Sequence, residues 1–297
     1  MSDGEFAIGI DVGGTNIKAI AIDGAGRELD RYGAATPQDR ERLVPAVGEI
    51  ARRLGVADAS WIGLCSPGLA ARDARSIVWM QGRMEAVQGL DWTLELASPR
   101  PIWVANDAHA ATLGEAWLGA ARDKSHVVLL TLGTGIGGGV LVEGRLLRGA
   151  IGRAGHLGHI SLDPFGPPDI CRTPGSFEDA VADSSVKRRS GGRFASTAEL
   201  AAAVEAGDAQ AASIWSRLVR SLAAAIASLI NVVDPEVVVV GGGIARAGDT
   251  LFVPLRREMD DVEWRPLGDA VPILPAELGE FAGAIGAARH AMLNTAS

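Results

Sequence analysis

The sequence predicts an α/β protein built from two related domains with a cleft between them. Three observations lead there. Short strands that are apolar on both faces alternate with amphipathic or alanine-rich helical runs, the pattern of a sheet covered by helices. Each half opens with an apolar strand, a Gly- and Thr-rich turn and a second strand, so the halves rhyme. The length, 297 residues, suits about two domains at roughly 100–200 residues each. We place the first at residues 1–115, joined by a C-terminal helix over 283–297, and the second at 116–282, carrying two glycine-rich turns.

The elements follow in order. Residues 6–10 form a strand that runs into Asp11-Val12-Gly13-Gly14-Thr15, and 18–23 return beside it before the Gly24-Ala25-Gly26 turn. Leu43, Val44, Val47, Ile50, Ala51 and Leu54 recur at helical spacing within 39–54. Residues 60–64 and 101–105 read as further strands, and an alanine-rich helix follows Asn106-Asp107 and ends near Gly119. In the second half, 127–130 and 139–142 are strands around a tight glycine turn. Residues 197–206 and 209–231 are helices, the latter stopped by Asp234-Pro235. A strand over 236–240 ends in Gly241-Gly242-Gly243, and 278–293 form a final helix.

Composition narrows the function classes. With 47% hydrophobic and 22% charged residues, and 38 glycines that follow no G-x-y period, the chain is neither disordered nor collagen-like. A net charge of −8 disfavours phosphodiester backbones, so nucleic acid is not an expected partner. Two cysteines, Cys65 and Cys171, are too few for a disulfide framework and read as reduced thiols. The N-terminus is acidic rather than basic-then-apolar. The most apolar stretch, 222–233, is broken by Ser228 and Asn231 and falls short of the ~20 residues of a membrane span. A cytoplasmic protein without membrane contact is expected.

Three glycine turns follow strand-like runs: residues 11–15, residues 131–139, and Gly241-Gly242-Gly243. Each reads either as an ordinary hairpin or as a phosphate cradle, in which glycine permits positive φ and unobstructed N–H approach to an anion. Three such turns, two with threonine and one with a preceding Asp, favour the cradle. Asp11 is suited to hold Mg²⁺ directly or through water. No G-x-x-x-x-G-K-[ST] sequence occurs, so this is not a P-loop protein. Asn106-Asp107 reads as an N-cap pair or as a general base with a neighbouring substrate ligand, and spacing alone does not choose. His156 and His159, three apart, read as metal ligands or as loop residues. Asp163, Asp169 and Cys171 are the nearby partners, a set poorer in sulfur and nitrogen than zinc normally takes.

At these residues the chain resembles the ROK family of sugar kinases and repressors. Asp11-Val12-Gly13-Gly14-Thr15 with Lys18 looks like that family's first phosphate motif, and Asn106-Asp107-Ala108-His109-Ala110 is similar to its Asn-Asp-Ala-Asn-Ala segment. Residues 131–139 resemble the second phosphate loop and 149–159 the family signature. Residues 231–243 with 282–286 resemble the nucleotide end, and the match runs in order from about 6 to 290. The resemblance implies the two-domain actin-like, ribonuclease H-like ATPase fold and transfer of the ATP γ-phosphoryl group to a sugar hydroxyl. It implies Asp107 as catalytic base, with Asn106, His156, His159 and Glu178 at the sugar. Gly13, Gly14, Thr15, Lys18, Thr134 and Gly135 are implied at the phosphates, Gly242 and Gly243 at the nucleoside, and Asp11 at the Mg²⁺ that accompanies ATP. A homodimer is the family's common state.

Two departures matter. Where the family has Glu in its Ala-Gly-Glu-x-Gly-His segment, this chain has His156, which offers one donor and one acceptor in place of a carboxylate. Where the family carries a Cys-x-Cys-Gly-x-x-Gly-Cys zinc run working with the final signature His, residues 169–176 read Asp-Ile-Cys-Arg-Thr-Pro-Gly-Ser. No structural zinc is expected, and the loop should be held by packing helped by Pro167, Pro168 and Pro174. The leading function is an ATP- and Mg²⁺-dependent kinase acting on the primary 6-hydroxyl of a hexose or close relative. The alternatives are a sugar-binding regulatory protein without turnover, a repressor and a polyphosphate-using kinase. A repressor needs a helix-turn-helix ahead of the first strand, for which there is no room before residue 6. A polyphosphate donor calls for a basic groove. Lys187-Arg188-Arg189 and Arg256-Arg257 read as solvated faces. Trp79, near Gln81-Gly82-Arg83, reads as packing or as a sugar-stacking residue.

Overall fold

The computed structural model describes residues 4–81 and 84–295. The chain forms two units: Met1–Asp123 with Leu146–Ala154 and Glu277–Ser297, and Lys124–Arg145 with Gly155–Ala276.

In the first unit, strands β1 (Phe6–Val12), β2 (Asn16–Asp23), β3 (Glu28–Ala35), β4 (Trp61–Ser66) and β7 (Ile102–Asn106) form a sheet in the order β3-β2-β1-β4-β7. β1, β2 and β3 pair antiparallel, while β1–β4 and β4–β7 are parallel. A small antiparallel ribbon, β5 (Leu69–Ala70) with β6 (Ile77–Trp79), lies between β4 and β7 in the chain. One sheet face, with Ile8, Ile10, Val12 and Leu64, shares a core with Leu43, Val47 and Ile50 of helix α1 (Arg40–Arg53). Asp39 caps α1 by accepting from the Arg42 amide at 2.9 Å. A short helix, α2 (Trp92–Glu95), precedes β7.

The opposite face carries α3 (Asp107–Leu118) and α9 (Ala282–Thr295), with Ala284, Ile285, Ala288 and Met292 packed on Ala7, Ile20 and Ile22. Glycine sets how closely α9 approaches. A Cβ on Gly9, Gly63 or Gly286 would lie 1.8, 1.8 or 1.6 Å from the backbone oxygen of Ala284, Ala287 or Ala110. Leu146–Ala154 belongs to this unit, although the sequence put all of 116–282 in the second domain. It is tied by Arg148 Nη2 donating to Ala71 O at 2.9 Å and by His109 Nε2, 2.8 Å from Ala154 O.

The second unit repeats the topology. Strands β8 (Val127–Leu132), β9 (Ile136–Val142), β10 (Arg145–Leu146), β11 (Val237–Gly241) and β12 (Ile273–Pro275) are ordered β10-β9-β8-β11-β12. β8–β9 is antiparallel, and β8–β11 and β11–β12 are parallel. Helices α4 (Phe177–Val181), α5 (Val186–Arg189), α6 (Thr197–Glu205), α7 (Ala209–Val233) and α8 (Asp249–Val262) complete it. α7 is long and apolar enough to cross a membrane by length and composition, longer than its run 222–233 suggests. Its Ile214, Trp215, Leu218, Leu222 and Ile226 are buried in this unit's core with Val128, Leu130, Val238 and Val240. Asp234, in the left-handed region at φ 50°, ends α7 as expected from Asp-Pro.

Among the described residues, β3, the β5–β6 ribbon, α8, β12 and the short elements α2, β10, α4 and α5 escape the sequence pattern. Most of the side chains of β3 are exposed, so no apolar alternation marks it, and Pro254 interrupts the helical reading of α8. Arg189 is also a correction. It is not on a solvated face but donates to the carbonyls of Val181 and Ala182, and burial pushes its guanidinium down to about 10.

Candidate functional site

In the first unit the parallel strands β1, β4 and β7 end together, with Asp11 paired in register with Cys65 and Ser66 with Asn106. Asp11 closes β1, lies opposite Lys18 on β2, and accepts a hydrogen bond from the Cys65 thiol. Burial pushes its carboxyl up to about 7. The charge of Asp107 pushes the same way, and Lys18 and Cys65 oppose. α9 comes so close that a Cβ on Gly283 would sit 2.6 Å from Asp11 Oδ2. Lys18 Nζ is shared with Glu280 Oε2, 3.2 Å away. Asp11 therefore feels a second carboxylate, Asp107, and only one ammonium, itself partly committed to Glu280.

Of the two readings that spacing left open, the structure shows the N-cap, and Asn106 alone supplies it. Asn106 is the N-cap of α3: its Oδ1 accepts from the amides of Ala108 at 3.0 Å and His109 at 3.2 Å, and its Nδ2 donates to Gly68 O at 3.0 Å. Asp107, the first residue of α3, is partly exposed rather than sealed in the cap. Its Oδ1 accepts from the Ala108 amide at 2.9 Å. Burial raises its carboxyl above the usual range, against those amides and Asn106, which lower it.

The β1–β2 turn holds Gly13, Gly14 and Thr15. Gly13 N donates to Asn16 O at 3.1 Å, and Gly13 O accepts from Thr36 Oγ1 at 2.7 Å. Neither glycine has positive φ, contrary to the reason first given for them. A Cβ on Gly14 would meet only Met84, at 4.0 Å, so glycine here leaves space in front of the backbone rather than enabling a left-handed turn. Among the five glycines named for phosphate or nucleoside, positive φ is confined to Gly242, at 89°, where a Cβ would run into Leu132 O at 2.4 Å.

In the second unit the β8–β9 turn is braced from below. Asp183 N donates to Gly133 O at 2.9 Å and Ser184 N to Thr134 O at 3.1 Å. Glu178 Oε2 accepts from the Ile136 amide at 2.7 Å, and a Cβ on Gly135 would lie 2.6 Å from that oxygen. Thr134 and Gly243 line a cavity of about 630 Å³ with Asp183, Glu205, Arg246 and the small side chains of Ala198, Ala201, Ala202 and Ala247. Gly135 and Gly242 serve the turn and the β11 end. Sequence reasoning missed Asp183, Glu205 and Arg246, which no glycine motif announces.

The signature histidines separate. Burial, then the proximity of His159, lowers His156 below the usual imidazole range, which favours the neutral ring. His159 joins Asp169 and Cys171 in a group whose donor atoms lie within 4.8 Å of one another, while Asp163 turns to the Phe165 amide. Phe165 and Ile170 are exposed, and the 163–176 loop closes at the prolines named for it, with Pro168 bridged to Pro174 and Gly175 N donating to Pro167 O at 2.8 Å. It is tied by Ser161 Oγ donating to Pro174 O at 2.6 Å and by hydrogen bonds gathered on Asp169. Trp79 is about half exposed, and Gly82 and Arg83 lie outside the described residues.

A family model described as the ROK family matches residues 7–293. The chain belongs to the ROK family. It is 34% identical over 303 residues to a glucokinase of Thermotoga maritima, covering 95% of each chain. The ROK hexokinase from Thermus thermophilus superposes with a TM-score of 0.83 at 34% identity, covering 98% of this chain and 99% of that one. A ROK family glucokinase from Streptomyces griseus, solved in complex with glucose and AMPPNP, matches with a TM-score of 0.80 at 28% identity over 97% and 99%. The fold is the two-domain actin-like, ribonuclease H-like ATPase fold.

Proposed function

We propose that this chain transfers the γ-phosphoryl group of ATP to the primary 6-hydroxyl of a hexose or close relative. As a ROK family member it is an ATP-dependent carbohydrate kinase, and the acceptor and the residue roles are the proposed part. The observation that carries the reading is Asp107: a partly exposed carboxylate at the C-terminal end of a parallel strand, raised by burial above the usual carboxylate range and close enough for its charge to act on Asp11. A base tuned toward the working pH takes a proton most effectively.

Asp107 removes the proton of the bound hydroxyl as its oxygen attacks the γ-phosphorus, the bond to the β,γ-bridging oxygen breaks, and ADP leaves. Asn106, His156, His159 and Glu178 hold the sugar hydroxyls. Gly13, Gly14, Thr15, Lys18, Thr134 and Gly135 meet the phosphates, and Gly242 and Gly243 the nucleoside. The excess of carboxylate over ammonium around Asp11 fits a hard dication, and Mg²⁺ bound there supplies neutralisation of phosphate charge.

The second-unit cavity supports a nucleotide donor. Its alanine walls suit a flat base, and its volume falls in the range of small-ligand sites. Asp183 and Glu205 against Arg246 make it a poor groove for linear polyphosphate. The burial of α7 in the core fits a cytoplasmic protein, and a homodimer belongs to the same reading. A coupled ADP-release screen over hexoses, N-acyl hexosamines, ketoses and polyols tests it. ATP-dependent turnover on an aldohexose or relative is expected. No turnover with any acceptor, despite sugar binding by calorimetry, refutes it in favour of a binding protein.

A further inference from the structure

His159 touches its two neighbours through opposite ring nitrogens. Nδ1 lies 2.8 Å from Asp169 Oδ2, and Nε2 lies 3.5 Å from Cys171 Sγ. The ligand atoms of His159, Asp169 and Cys171 lie within 4.8 Å of one another, so an ion among them has three protein ligands. Structural zinc takes four, chiefly thiolate sulfur and imidazole nitrogen, whereas this group supplies one thiol, one imidazole and one carboxylate already engaged by protein donors. The zinc that the family motif implies does not fit these residues.

The Asp169 carboxylate is meanwhile saturated by protein donors. Besides His159 on Oδ2, its Oδ1 accepts from the amides of Cys171 at 2.8 Å and Thr173 at 2.9 Å, and the buried Ser176 hydroxyl also hydrogen-bonds to it. These donors fill the acceptor capacity of an ionised carboxylate. A carboxylate only accepts, so the ring proton of His159 sits on Nδ1 and its orientation is fixed by Asp169. Residues 159, 169 and 176 thus form a hydrogen-bonded chain of side chains across the loop, with Asp169 at its centre.

We propose that Asp169 takes the place of a metal here: it is a positioning residue that orients the sugar-binding His159 through Nδ1, and the loop is closed by a carboxylate rather than by zinc. The claim rests on the kinase reading insofar as His159 meets the sugar. The bond is local, so its loss acts on sugar binding rather than on the nucleotide cavity.

The test compares the full-length wild type, Asp169→Asn and the double variant Asp169→Cys, Ser176→Cys. Zinc per chain is measured by mass spectrometry, with sugar KM, ATP KM and kcat taken in excess Mg²⁺. Wild type should carry substoichiometric zinc and keep its activity in a zinc chelator. Asp169→Asn should raise sugar KM about tenfold or more with ATP KM unchanged, and added zinc should not restore it. The double variant, with His159 and three thiolates, should acquire a full equivalent of zinc. In wild type, ¹⁵N NMR of His159 should show a protonated Nδ1 and no metal-bound nitrogen, a readout that stands even if a variant fails to fold. Stoichiometric zinc in wild type, a metal-bound His159 nitrogen, or an unchanged sugar KM in folded Asp169→Asn overturns the proposal. Absence of sugar phosphorylation by wild type sinks the kinase reading instead, while zinc content and the His159 spectrum still decide how the loop is closed.

Discussion

Replacing Asp11 by Asn should stabilise the free protein at neutral and alkaline pH while destroying its use of Mg²⁺-nucleotide. The folded chain holds the Asp11 carboxyl near 7, chiefly through burial and then through Asp107, against 3.8 in an ordinary setting. Between those values the folded state keeps a proton that the unfolded state has lost, so stability falls as pH rises from about 4 to about 7 and stays low above. At 1.36 kcal/mol per pH unit the full difference is ~4 kcal/mol, and the solvent that reaches the partly exposed residue reduces it to about 2–4 kcal/mol. At roughly 2–4 °C per kcal/mol, Asp11→Asn should melt about 5–15 °C above wild type at pH 8. Near pH 4 the two should converge. Calorimetric melts from pH 4 to 9 without nucleotide read this directly, and Mg²⁺-ATP should raise Tm in wild type only. A variant that melts no higher than wild type at pH 8, or a gap that ignores pH, would refute the burial of charge at this strand end.

Other outcomes follow from the same unit and its neighbour. His290 is held down to about 4, first by burial and then by the charges of Arg148 and His109, while the Val104 carbonyl opposes this. Its stability contribution is therefore complete above 6.5 and lost as pH falls to about 4, on the order of 3 kcal/mol, and His290→Gln should flatten that acid limb in urea titrations. Gly286→Ala drives a Cβ to 1.6 Å from Ala110 O and should cost about 3 kcal/mol or more, seen as a lowered urea midpoint. A wild-type midpoint would mean that α9 is free to retreat from α3. His156→Glu restores a charged acceptor in place of the neutral imidazole and should shift acceptor preference toward free aldohexoses. An unchanged profile in the ADP-release screen would show that this side chain does not touch the sugar.

Much of this architecture is legible in the residues. β11 is a continuous apolar run ended by glycine, β1 is apolar up to Asp11, and α1, α6 and α7 carry Asp39, Ser196 and Asp208 as caps. What stays hidden depends on long-range packing. β3 is an exposed edge with no apolar alternation. The pairing of Asp11 with Cys65 is a matter of register between strands more than fifty residues apart. That Asn106 caps α3 while Asp107 begins it emerges only once α3 has a defined first turn. Asp169 is visible as a missing cysteine, but its four donors are gathered by loop geometry that spacing alone does not specify.

Phosphoryl transfer by Asp107→Asn, measured by single turnover with saturating Mg²⁺-ATP and the best acceptor, bears most directly on the general base. The amide keeps the shape of the side chain and removes its proton affinity. The rate should fall by ~10²-fold or more with nucleotide and sugar affinities retained. A variant that turns over near the wild-type rate would show that the hydroxyl proton leaves by another route.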